Sequence, residues 1–145
     1  MKIALGADHK GFPLKQQIKE ALSLEGHEVV DFGCYDEGRV DYPDIAIAAS
    51  RAVALGECDR GILMCNDGLG MCIVANKIRG IRCALCVDRY YAEIARVHND
   101  ANILAFGPAD LHDDAMTIVH TFLETPFEGG RHIPRLAKIT KLENE

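Results

Sequence analysis

Five short apolar runs punctuate the chain: Lys2-Ile-Ala-Leu-Gly6, His27-Glu-Val-Val-Asp31, Arg60-Gly-Ile-Leu-Met-Cys65, Arg82-Cys-Ala-Leu-Cys-Val87 and Asn102-Ile-Leu-Ala-Phe106. Several are near-continuous rather than alternating, the pattern of strands covered on both faces. Between them, apolar positions recur at helical spacing. Leu14, Ile18, Ala21 and Leu22 form one such face; Ile45, Ala48, Ala49, Ala52 and Val53 form the next. Ile73 and Val74 follow a glycine loop, and Tyr91, Ile94 and Ala95, then Ala115, Ile118, Val119 and Phe122, complete the series. Pro134 at a first turn, with Leu136 and Ile139 behind it, predicts a sixth, C-terminal helix over 134–142. Alternating strands and helices predict a three-layer α/β/α sandwich around a five-stranded parallel sheet with right-handed crossovers. The order of the strands is not readable from this pattern.

At 145 residues, without an internal repeat, linker or low-complexity tract, the chain reads as one domain spanning 1–145. Its net charge of -6, with no Lys/Arg-rich run, excludes nucleic acid and anionic membrane surfaces as partners. The apolar start is interrupted by Asp8, His9 and Lys10, too early for a signal peptide, and no apolar run spans a membrane, so the expected location is cytoplasmic. The six cysteines sit mostly inside apolar runs and read as reduced, buried thiols. Cys83-Ala-Leu-Cys86 is a lone C-x-x-C without the second ligand pair that zinc takes, and burial is its better reading.

Ligands of parallel α/β sheets bind beyond the carboxyl ends of the strands. There the chain places Gly6-Ala-Asp8-His9-Lys10-Gly11 and Cys65-Asn66-Asp67-Gly68-Leu69-Gly70; Asp41-Tyr42-Pro43 opens the second helix, His98-Asn99-Asp100 stands just before the fifth strand, and Arg131 and Arg135 lie in the tail. Asp8 also reads as a helix cap beside a solvated His9. Gly68 and Gly70 allow backbone amides to converge on an oxyanion or phosphate at a helix start, or make a simple tight turn. Cys65 is either a structural thiol or a thiolate base or nucleophile. Asp67, two residues on, opposes the thiolate by like-charge repulsion. His98-Asn99-Asp100 reads as a helix end with its turn, or as site residues raised in interest by a place beside the ligand end of the sheet. Arg131 and Arg135, four apart, either stay solvated or reach one anion together. His132 between them is left unassigned.

An oxyanion cradle, a thiol, a histidine and an arginine pair are the parts needed to move a proton on a small phosphorylated carbonyl compound. Ile3-Ala-Leu-Gly-Ala-Asp-His9, Asp41-Tyr-Pro43, Gly61-Ile-Leu-Met-Cys65 through Gly70, Ala75-Asn-Lys-Ile-Arg-Gly-Ile-Arg82, His98-Asn-Asp-Ala-Asn102 and Phe127-Glu-Gly-Gly-Arg-His132 resemble the type B ribose-5-phosphate isomerase family, which includes the galactose-6-phosphate isomerase subunits. The resemblance runs nearly end to end. It implies a Rossmann-like fold, no metal or organic cofactor, a homodimer that can pair into a tetramer, and active sites shared across the subunit boundary. It makes Cys65 the base shuttling a proton between C1 and C2, and His98 the group that helps open the sugar ring. Asp8 and Tyr42 then contact sugar hydroxyls, Asn99 with the Gly68 and Gly70 amides holds the enediolate oxygens, and His9, Arg131 and Arg135 bind the phosphate. Relatives that use a Glu just after the last glycine have their counterpart here in Met71, which leaves Cys65 as the base.

The chain departs from the family pattern at Asn66 and Asp67, where Gly and Thr/Ser are usual, and at Ala109, where many relatives place a further phosphate-contacting Arg. Asn66 is retained with the substrate-binding residues, and Asp67 is read as a proton relay replacing the missing hydroxyl. A less positive pocket keeps a tetrulose or hexose phosphate open as the substrate beside ribose 5-phosphate. A flavodoxin-like binding or signalling module is the reading from another class. It lacks the Asp that a receiver carries where Cys65 stands, and Cys72 stands where a Cys-dependent phosphatase loop needs Arg.

Overall fold

A computed structural model describes all residues, 1–145. The elements run β1 (Lys2–Ala7), α1 (Phe12–Leu24), β2 (Glu28–Asp31), α2 (Tyr42–Ala54), β3 (Arg60–Met64), α3 (Leu69–Ala75), β4 (Cys83–Leu85), α4 (Arg89–Asn99), β5 (Ile103–Phe106), α5 (Ala115–Glu124) and α6 (Ile133–Glu143). All strand pairs are parallel, in the order β2-β1-β3-β5-β4. The most apolar strands occupy the middle: β5 is buried throughout, whereas β2 and β4 are only half-buried and form the edges. The five strands and the C-terminal helix stand where periodicity predicts them, with ends shifted by a residue or two.

Strand alternation divides the core into two halves. Ile3, Leu5, Ile62, Met64, Leu104 and Phe106 face one side, against α1, α4 and α5. Ala4, Leu63, Cys65, Ile103 and Ala105 face the other, against α2 and α3. Cys65, the residue after β3, therefore inherits the α2–α3 side of the sheet from strand parity alone.

Polar and charged side chains also enter the interior, and Lys15 is the most deeply buried of the charged ones. Lys15 lies three positions before Ile18 on the inward stripe of α1 and has no exposed surface. Its Nζ donates to Asp31 Oδ1 at 2.6 Å and to the Cys34 carbonyl at 2.5 Å, between the rings of Phe12 and Tyr35. Lys19 takes the other Asp31 oxygen at 2.9 Å. Burial alone raises the Asp31 carboxyl, but hydrogen bonds from Lys15, Lys19 and the Gly33 amide outweigh it and hold the group below its ordinary range. This knot anchors the segment that leads from β2 to Tyr42.

Lys15→Met is expected to lower unfolding stability by about 3 kcal/mol, because it leaves a largely buried carboxylate with one cation and a carbonyl without its donor. A carboxylate whose pKa is depressed on folding stabilises the protein above its unfolded pKa, and loses that contribution as pH falls through the folded value. The variant should accordingly lose less stability than the native protein on acidification below about pH 4. Urea titrations at neutral and acid pH check both; an unchanged midpoint at neutral pH contradicts the assignment.

Candidate active site

Cys65 is 6% exposed and opens the turn between β3 and α3. Gly68 follows in the left-handed region with φ of 90°, and its amide donates to Cys65 Sγ at 3.1 Å. A side chain is excluded there twice over, since a Cβ would also stand 2.6 Å from the Cα of Phe106. Asp67 turns back to accept the Leu69 amide at 2.9 Å, which brings the same carboxylate oxygen to 3.9 Å from the sulfur. The thiol thus sits between a backbone N–H donor and a carboxylate oxygen. Gly107 packs directly beneath the carbonyls of Cys65 and Asn66, and the Ala109 amide donates to Asn66 at 3.0 Å, so the loop after β5 clamps the loop after β3. Ala109 is exposed at this rim.

The opposite wall comes from β1. Asp8 is buried; its carboxylate accepts the amides of Lys10 at 2.9 Å and Gly11 at 3.1 Å, and its own amide donates to Met64. It braces the turn rather than capping α1, whose cap position is Gly11. Half-buried His9 accepts the Val40 amide at 3.4 Å through Nδ1. Tyr42, the first residue of α2, lays its ring on Gly70, where a Cβ would approach it to 2.7 Å. Asp8, His9, Arg39, Asp41 and Tyr42 border an open cavity of about 410 Å³. Asp8, His9, Tyr42, Cys65, Asn66, Asp67, Gly68 and Gly70 therefore converge at the crevice where the chain order reverses between β1 and β3, the place such sheets bind ligands. Met71 is fully buried beneath them and presents nothing to the cavity. A wider depression, about 550 Å³, lies between α4 and α5 among solvated charges and threonines.

His98 and Asn99 lie elsewhere, which corrects the reading that sets them beside the ligand end of their own sheet. A crossover helix returns antiparallel to its strands, so α4 ends where β5 begins, at the amino edge. Arg82, just before β4, donates to the carbonyls of Asn99 at 2.9 Å and Asp100 at 3.2 Å there. The length of β5, roughly 13 Å for four residues at strand rise, separates this edge from Cys65. Exposed Arg131 and Arg135 belong with His98: Arg131 adjoins His132, whose ring stacks on that of His98 with centroids 4.5 Å apart and planes at 23°. His132 Nε2 in turn donates to Glu128 Oε2 at 2.6 Å. Within one chain, the expected site residues form two groups at opposite ends of the sheet.

His98, Glu128 and His132 bring ligand-type atoms within 4.8 Å of one another. Imidazole lone pairs lie in the ring plane, however, and two stacked rings direct them side by side rather than at one ion. Cys83 and Cys86, three apart, join opposite halves of the core, so they cannot share a metal either. Burial pushes the Cys86 thiol up to about 12. The contact that sequence spacing hides is Cys72 with Cys83: the hydrogen bond between them lowers the Cys72 thiol to about 7 and raises that of Cys83.

Comparison with known proteins bears on the family and the fold. Residues 3–139 match the Ribose/Galactose Isomerase family. The chain is 46% identical over 143 residues to ribose-5-phosphate isomerase B of Escherichia coli, covering 98% of this chain and 96% of that protein. It is 40% identical over 147 residues to D-erythrulose-4-phosphate isomerase of Pectobacterium atrosepticum, covering 100% and 97%. The solved structure of Clostridium thermocellum ribose-5-phosphate isomerase B superposes with a TM-score of 0.97 at 49% identity, covering 99% of this chain and 98% of that one.

Proposed function

The chain belongs to the ribose/galactose isomerase family, and from that premise we propose that it is a cofactor-free aldose–ketose isomerase converting ribose 5-phosphate to ribulose 5-phosphate through a cis-enediolate. The observation that carries the reading is the Cys65 sulfur at the β1–β3 crevice, with the Gly68 amide at 3.1 Å and the Asp67 carboxylate at 3.9 Å.

The thiolate of Cys65 takes the proton from C2 of the open-chain aldose. The C–H electron pair becomes the C1–C2 double bond, and the aldehyde oxygen acquires the negative charge. Amides at Gly68 and Gly70, with Asn99, hold that charge where it develops. A proton then passes from O2 to O1, and Cys65 returns its own proton to C1, leaving the ketone at C2. Asp67 relays protons beside the thiol. Asp8, Tyr42 and Asn66 hold sugar hydroxyls. His9, Arg131 and Arg135 bind the phosphate, for which paired guanidinium donors are suited.

Cys65 and His98 stand at opposite ends of one sheet, so a complete site needs a second copy of the chain supplying His98, Asn99 and the tail arginines. We infer a homodimer, able to pair into a tetramer. Two apolar surfaces support it: Leu69 and Ile73 on α3 are 53% and 61% exposed, and α6 buries no residue while exposing Ile133, Ile139 and Leu142. No helix is long and apolar enough to cross a membrane, and we place this one-domain enzyme in the cytoplasm.

A second substrate reading, a tetrulose phosphate, is supported by the full-length similarity to D-erythrulose-4-phosphate isomerase and by Asp67 and Ala109, which make the pocket less positive. A panel of four-, five- and six-carbon aldose and ketose phosphates distinguishes the two. Ribose 5-phosphate is expected to give the highest kcat/KM, and Asp67→Thr to raise it further relative to the tetrose. A native preference for the four-carbon sugar overturns the pentose assignment, and no interconversion of any member overturns the isomerase reading.

A further inference from the structure

We propose that His132 and Glu128 are positioning residues for ring opening, holding the His98 imidazole in its working orientation; the inference rests on the isomerase reading with His98 as the group that opens the sugar ring. His132 is 3% exposed although its neighbours Arg131 and Ile133 face solvent. Burying an imidazole is costly unless it is hydrogen-bonded. Its bond to Glu128, at 2.6 Å, is in the charge-assisted range. That bond is also the main cause holding the Glu128 carboxyl below its ordinary range, with the charges of His132, Arg131 and His98 adding to it.

The backbone around this pair is shaped to make the contact. Gly129 and Gly130 take φ of 72° and 55°, a left-handed reversal that turns His132 back toward Glu128 and α4. The Glu128 amide donates to the carbonyl of Val97, at 3.1 Å, and so fastens the tail to the residue next to His98. With the tail so fixed, the His132 ring covers one face of the His98 ring. His98 stands in the last turn of α4, where a free side chain would change rotamer readily. The stack confines its ring plane, and with it the direction in which its in-plane nitrogens exchange protons.

Substrate chemistry supplies a readout that simple misfolding would not imitate. Ribose 5-phosphate is a furanose that must be opened. Ribulose 5-phosphate carries its phosphate on the oxygen that would close the ring, so it is acyclic and reaches the Cys65 chemistry directly. His132→Ala is expected to lower kcat/KM for ribose 5-phosphate about tenfold, a part of the ~10²–10⁴ that an acid–base group supplies. Exchange of the C1 hydrogen of ribulose 5-phosphate with D2O, which needs enolisation but no ring closure and so is not tied to the forward rate by the overall equilibrium, should stay within twofold. His132→Phe, which keeps a stacking ring but loses the bond to Glu128, should fall between, and Glu128→Gln, at an exposed carboxylate, gives the same asymmetry without emptying a buried site. Equal losses in ribose 5-phosphate turnover and in ribulose 5-phosphate exchange, or none in either, overturn the proposal. So does inhibition of the native enzyme by Zn²⁺ that His132→Ala abolishes while retaining native rates, since the cluster would then be a metal site. A native protein that catalyses neither turnover nor exchange refutes the isomerase reading instead.

Discussion

Cys65→Ala should lower kcat for ribose 5-phosphate by at least the ~10²–10⁴ typical of losing a positioned acid–base group, while substrate affinity stays within about threefold. The asymmetry follows from what the sulfur touches. Its two polar neighbours, the Gly68 amide and the Asp67 carboxylate, are held by the same turn, and the carboxylate is separately fixed on the Leu69 amide. Apart from Asn66 in the same turn, the groups assigned to the sugar and the phosphate lie on other elements. Removing one sulfur from a turn held by glycine conformations and by Gly107 packing leaves those groups in place. Met71, next after Gly70, is fully buried and carries no group that could replace the thiol. Steady-state rates and equilibrium binding of the variant check the split; near-native turnover by a folded Cys65→Ala protein contradicts the mechanism.

The second large effect is restoration. Cys65→Ala and His98→Ala, each inactive alone, are expected to regain about a quarter of native activity when mixed in equal amounts and allowed to exchange subunits in a two-fold dimer. Half of the dimers are then mixed, and each mixed dimer assembles one site with both native side chains and one with neither. The strand β5 that separates Cys65 from His98 within a chain is what makes this outcome possible. Were both groups drawn from one chain, every site would lack one of them and mixing would restore nothing. Activity measured before and after exchange decides between the two arrangements, and an active native monomer at the assay concentration overturns the shared site.

The sequence by itself determined the elements and the parity of what they carry. Apolar runs such as Ile62-Leu-Met64 mark a strand because each residue reports its own burial, and period-2 alternation then sends Cys65 to the α2–α3 face. The glycines at 68 and 70, Pro43 just inside α2 and the apolar stripes of the helices are signals of the same local kind. Resemblance supplied the roles of the site residues and the expectation that neighbouring subunits share the site.

What lay between elements was decided only in three dimensions. Strand order is set by which edges and faces bury most together, so β5 entered between β3 and β4, a choice no window of sequence contains. Lys15 reads as a polar interruption of α1 until Asp31 and the Cys34 carbonyl arrive from the far end of β2 to satisfy its charge. His132 drew no assignment because its partners come from two segments, α4 and the glycine reversal, and the ring stack exists only where they pack. His98 was misplaced for a related reason. Its position just before a strand looks adjacent to the catalytic loops in sequence, yet an antiparallel return helix delivers it to the opposite edge. Local pattern measures how deeply a residue is buried; which residues meet depends on how the chain pays the entropy of closing long loops, and that is a property of the whole fold.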